Sequence, residues 1–156
     1  MATPVFIHLC NMILNDVLNV VKESLPDVAG VVSLSPVLEV TDAPKVNVIP
    51  LSLTLDVFDR GTQSQNASVL IELTGYVGTS EISAYSSYFE AVEKLLKLLP
   101  YATYDIDDNH FKPVTACMTA SPAIADVDGG DANAYGFKSS ISFDLRRFIR
   151  FNNALC

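Results

Sequence analysis

Charge is scarce in this sequence, and positive charge is the scarcer kind. Charged residues make up 18% of the 156 residues, and ten Lys and Arg against eighteen Asp and Glu give a net charge of −8. A protein that binds nucleic acid through its phosphates needs a basic patch, so this balance argues against such binding. Because 49% of the residues are hydrophobic, the low charge also indicates that subunit contacts cover much apolar surface.

Long apolar runs and targeting signals are missing as well. No run reaches the roughly 20 apolar residues that a membrane-spanning helix needs, so no membrane association is expected. The N-terminus lacks the basic region of a signal peptide. Cys10, Cys117 and Cys156 are odd in number and stand at no metal-ligand spacing, which favours reduced thiols in a cytoplasmic chain.

The sequence offers little from which to build an enzyme. It has no Gly-x-Ser-x-Gly elbow, no phosphate-binding glycine loop and no Cys-x-x-Cys pair, and its only histidines are His8 and His110. Asp105, Asp107 and Asp108 precede His110 and could join it in a metal site, in a small metal-dependent enzyme or a ligand-binding domain. An acidic solvated loop is the stronger interpretation of that run.

A second acidic stretch begins like a calcium loop. Residues 126–131 read Asp-Val-Asp-Gly-Gly-Asp, but Asp131 and Phe137 occupy the positions where such a loop needs glycine and an acidic residue. We therefore expect no catalytic residue, no cofactor and no metal in this chain.

The clearest structural signals lie between Ala67 and Pro100. Apolar residues alternate with polar ones from Val69 to Val77, which predicts a strand with one buried face. From Tyr85 to Leu99 they recur every three or four residues, which predicts a helix whose core residues include Leu95 and Leu96.

Other elements follow from similar patterns. Thr3-Pro4 begins a helix that runs to about residue 24. Residues 31–58 predict proline-interrupted strands in which Leu53, Leu55 and Val57 point inward, and the polar residues 59–66 predict a long hairpin loop.

Residues 111–119 predict a strand within a loop-rich insert at 101–135, and the last clear strand alternates from Phe137 to Leu145. The whole chain, 1–156, is expected to be one domain with the order α-β(n)-α-β-β. That order predicts an α+β fold, a mainly antiparallel sheet with helices packed on one face.

Basic and acidic residues are segregated along the chain. Six carboxylates could meet the basic cluster of a neighbouring copy in a heterologous contact, which closes into a ring when the rotation permits. Alternatively, both patches are exposed to solvent or pair within one chain. The net charge disfavours a third interpretation, in which the basic cluster binds nucleic acid. The candidate interface residues are Arg146, Arg147 and Arg150 on one side and Asp105, Asp107, Asp108, Asp126, Asp128 and Asp131 on the other.

The element order resembles that of tailed-phage tail terminator (tail completion) proteins. The resemblance rests on the N-terminal helix, a strand pair whose second member reads Val69-Leu-Ile-Glu-Leu-Thr-Gly-Tyr-Val77, the helix at 84–99 and the late strand. It implies a non-enzymatic virion protein of the tail or neck, assembled in the host cytoplasm, whose hexameric ring ends the tail tube. Its partners would be its own copies, the tube protein and the head-side connector, with DNA as passing cargo. Another neck protein, a head-closure or adaptor protein, is the alternative.

Overall fold

The computed structural model is an α+β fold in which, among the residues that it describes, two α-helices pack on one face of a curled, mostly antiparallel sheet. This is the architecture that the order of predicted elements indicates. Of residues 123–126, 135 and 150 the structure describes the backbone alone. The described residues are 3–34, 43–57, 59–77, 79, 81–114, 120, 123–126 and 135–150.

In the described part of the chain, seven strands form the sheet in the order β1-β2-β3-β7-β5-β4, and β6 pairs with β7. Among the described strands β1 and β2 are parallel, and the other pairs are antiparallel. The helices are α1 (Val5–Val21) and α2 (Ser86–Leu98), and the strands are β1 (Ala29–Val32), β2 (Lys45–Val57), β3 (Thr62–Tyr76), β4 (Tyr104–Ile106), β5 (Asn109–Pro113), β6 (Ala123–Asp126) and β7 (Tyr135–Arg150).

Helix α1 buries one stripe and exposes the rest. Apolar residues at helical spacing put one row of side chains on the sheet and on α2. Pro4 is the N-cap and no side chain caps the helix, so the hydroxyl group of Thr3 does not cap it. Burial raises the pKa of the free Cys10 thiol to about 11. The buried residues are Leu9, Cys10, Ile13, Val17 and Val21.

Helix α2 is fixed to the sheet by an aromatic cluster. Phe137 of β7 lies opposite Gly75 of β3, and the rings of Tyr85, Tyr88 and Phe89 surround it at centroid distances of 4.9–6.1 Å. Tyr88 lies directly over Gly75, where a Cβ would overlap its hydroxyl. The absence of a side chain at Gly75 therefore sets how closely α2 approaches the sheet.

The predicted core of α2 is confirmed at Leu95, which is fully buried, whereas Leu96 is partly buried and packs against the core. Within residues 101–135, the part that the structure describes includes the β4–β5 hairpin and β6, and a short 3-10 helix (Leu99–Tyr101) leads into it. The strand predicted at residues 37–40 lies outside the described residues.

Candidate subunit interface

The sheet extends past its helices at one end. There the hairpin of β2 and β3 continues to the pair of Val57 with Gln63, and β7 continues beside β3 to the pair of Thr62 with Arg150. Every residue from 51 to 57 is exposed. We call this extension, residues 51–57, 62–66 and 146–150, the arm.

An apolar row runs along the helix-side face of the arm. β2 carries a bulge between Pro50 and Ser52, after which Leu53, Leu55 and Val57 lie opposite β3 residues of the helix-side face. These three side chains, the apolar row, are 36%, 52% and 72% exposed. The prediction that these three side chains are buried is therefore wrong. The alternating pattern places them on the helix-side face of the sheet, but the helices do not cover that face at the arm.

The arm also leaves a strand edge open. β1 pairs with residues 45–48 of β2, and in the part of the chain that the structure describes no strand pairs with that side of residues 49–57. Backbone N–H and C=O groups along such an edge are available to another strand.

Arg146 lies on the outer face of the arm, the face opposite the helices. Its Nε donates to Asn66 Oδ1 at 2.6 Å, and Asn66 Nδ2 donates to Asp56 Oδ2 at 3.1 Å. The three side chains form an exposed polar ladder across β7, β3 and β2. Exposed ladders of this kind add little stability but fix the direction of the side chains.

Arg147 points to the opposite face and is 3% exposed. Its Nε donates to Gln65 Oε1 at 2.6 Å and its Nη1 to the Ile106 carbonyl at 2.9 Å, while the guanidinium lies 4.8 Å from the centre of the Phe111 ring. Burial lowers the pKa of Arg147, and the negative charge of Asp107 opposes that shift. Arg147 thus holds β7 to the β4–β5 hairpin within one chain and is not available to a neighbouring copy.

The acidic run before His110 forms a turn. Asp107 and Asp108 are the two central residues of the β4–β5 hairpin, between the paired Ile106 and Asn109, and their φ angles are 54° and 64°. A two-residue turn with both angles positive favours Asp, Asn and Gly, so backbone geometry alone accounts for these residues.

The candidate metal ligands do not converge. The side chains of Asp105 and His110 contact each other across the hairpin, and both are more than half exposed. Among the described residues no three His, Cys, Asp or Glu side chains come together as metal ligands.

A groove of about 500 Å³ opens between β5 and β7. Lys112 and Arg146 lie directly opposite each other in register along it, and Phe148 adds a ring that is 54% exposed. The groove therefore combines positive charge with an aromatic wall on an acidic protein. Its lining residues are Asp108, Asn109, His110, Lys112, Pro113, Val114, Arg146 and Phe148.

The structure separates Asp126, the one described residue of the second acidic group, from the arginines. Asp126 pairs with Tyr135 at one end of β7, and the eleven steps from Tyr135 to Arg146 span about 36 Å of strand. Asp126 thus lies far from the arginines of its own chain. Asp128 and Asp131 lie outside the described residues, as does the side chain of Arg150.

Sequence reasoning missed Lys112, Phe148 and Asp56 as site residues. Lys112 enters the site because β5 pairs with β7, a long-range contact that local pattern does not encode. The alternation of β7 does extend through Phe148, and continuing it beyond Leu145 would have placed Arg147 on the buried face and Phe148 on the outer one.

No model of a known protein family matches this chain, and neither does any curated protein. Within the described residues, no helix has both the length and the apolar character needed to cross a membrane. The arm and the groove are therefore the features from which a function can be inferred.

Proposed function

We propose that this chain is a structural subunit whose copies assemble into a ring, and that the ring ends the tail tube of a tailed phage and joins it to the head-side connector. The single observation that carries the proposal is the arm, because its apolar row and its open edge need a cover. Three adjacent apolar side chains, each at least about a third exposed, form the kind of patch that marks a protein contact.

The open edge adds to this support. Strand edges that remain single in solution are protected by lysine, by proline or by a strong bulge. Pro50 and the bulge between Pro50 and Ser52 stand where this edge begins, but residues 51–57 read Leu-Ser-Leu-Thr-Leu-Asp-Val, with one charged residue and no lysine or proline. Such an edge favours pairing with another chain over exposure to water.

The assignment to a phage tail rests on the resemblance in element order to tail terminator proteins. Helix, strand pair, helix and late strand occur here as α1, β2–β3, α2 and β7. A structural role also fits the acidic run, whose residues build a turn. The net charge of −8 would let a ring of these chains repel DNA phosphates and pass the genome without binding it.

The test is the mass and shape of the purified protein. Light scattering and native mass spectrometry over a micromolar concentration series should give six copies of the 16.9 kDa chain, and electron microscopy should show closed rings. Rings added to polymerising tail tubes should cap one end. A monomer at every concentration would overturn the proposal; rings that bind the connector but never the tube would make the protein another neck component.

A further inference from the structure

We infer that the β2 edge of one copy, residues 51–57, docks along the groove between β5 and β7 of the next copy, with Asp56 meeting Lys112 and Arg146. The inference rests on the proposed self-assembly and names its contact. The occupant of the groove is thus a second copy of this chain, and the contact is head-to-tail.

The two positive charges of the groove are complementary to a carboxylate. Lys112 and Arg146 are directly opposite each other on neighbouring strands, and like charges in that position are destabilising unless an anion lies between them. Arg146 is oriented by its bond to Asn66, so its guanidinium is held at the groove. Asp56, the single charged residue of the open edge, supplies the complementary charge through its Oδ1, while its Oδ2 accepts a hydrogen bond from Asn66 of its own chain.

One copy cannot fill its own groove with its own edge. β3 lies between β2 and β7, so the open edge and the groove are on opposite sides of the arm. Two different surfaces that meet between copies make a heterologous contact, which builds a ring when the rotation closes. The arrangement thus agrees with the proposed ring and defines which side of each subunit faces the next.

A mixing experiment tests the contact. Asp56→Lys alone places like charges at every contact, and so does Lys112→Glu alone, so each variant should self-associate at least about tenfold more weakly than wild type. An equimolar mixture should restore rings of alternating composition, because every contact then carries opposite charges. Both positions are exposed, and circular dichroism confirms that each variant is folded.

Matched controls have the same charge changes on α2, away from the arm. Glu93→Lys and Lys97→Glu, both at exposed positions, should leave the ring mass unchanged. If wild type forms rings but the single variants assemble normally, or the mixture fails to restore assembly, the contact is wrong while the proposed ring stands. If wild type is a monomer at all concentrations, both are overturned.

Discussion

Arg147 is a core side chain that happens to be charged. Its guanidinium has two hydrogen bonds within 2.9 Å and the face of Phe111 beneath it, so most of the cost of burying the charge is offset by charge-assisted bonds. Its neighbour Arg146 is exposed and bonded to Asn66. Two consecutive arginines on one strand thus have opposite roles, because successive side chains point to opposite faces.

This difference predicts unequal effects of truncation. Arg147→Ala should lower the free energy of unfolding by about 2–4 kcal/mol, because the Ile106 carbonyl and Gln65 lose a buried charged donor. Arg146→Ala is the control and should cost less than about 1 kcal/mol. Urea unfolding of both variants gives the comparison, and equal losses would show that Arg147 is not an internal anchor.

At the scale of elements, the fit between α2 and the sheet depends on one missing side chain. Gly75 provides the space that Tyr88 occupies, and Phe137 fills the position opposite it on β7. Adjacent β3 and β7 therefore present a hollow and a ring to the same helix, and α2 cannot shift without losing both contacts.

Gly75→Ala should consequently destabilise the fold by about 2–4 kcal/mol, because the new Cβ overlaps a ring that is packed on all sides. Ser142→Ala, at an exposed position of β7, is the control and should change stability by less than about 0.5 kcal/mol. Thermal and urea unfolding measure both. A neutral Gly75→Ala would mean that Tyr88 can move away, and that the aromatic cluster does not set the helix position.

Long periodic elements were predictable from the sequence, whereas short ones were not. The strand at 69–77, the helix up to Leu99 and the strand from Phe137 each show enough repeats for the period to be read. β4 and β6 have three and four residues, and their strand conformation depends on the hairpin turn or on β7, which local pattern does not reveal. The strand predicted at residues 111–119 overlaps β5 (Asn109–Pro113), and residues 115–119 lie outside the described part of the chain.

The site was partly predictable for a similar reason. Alternation shows which face a side chain occupies, but it does not show whether another element covers that face. Leu53 and Val57 are thus apolar at the expected positions yet exposed, and Arg147 is basic yet buried. Both outcomes depend on where the helices and the β4–β5 hairpin end, which is a property of the folded molecule.

For the whole molecule, stability is distributed unevenly along the sheet. The part of the sheet under the helices contains the buried core, whereas every residue from 51 to 57 is exposed. Regions with few buried apolar contacts open locally at low free energy. A subunit contact that covers the arm would therefore stabilise the part of the sheet that the monomer stabilises least.

Assembly should then be visible in hydrogen exchange of the arm. At dilutions where the protein is monomeric, the amides of residues 51–57 that face away from β3 should exchange quickly, and at concentrations where rings form they should be protected. Residues 69–74 of β3, paired on both sides, are the control and should be protected in both states.

The unfolding midpoint should also rise with protein concentration, because only the folded state binds a partner. If the mass shows rings while exchange in residues 51–57 stays fast, the copies must meet through another surface, since an edge paired with a neighbouring strand cannot keep its outward amides open to water.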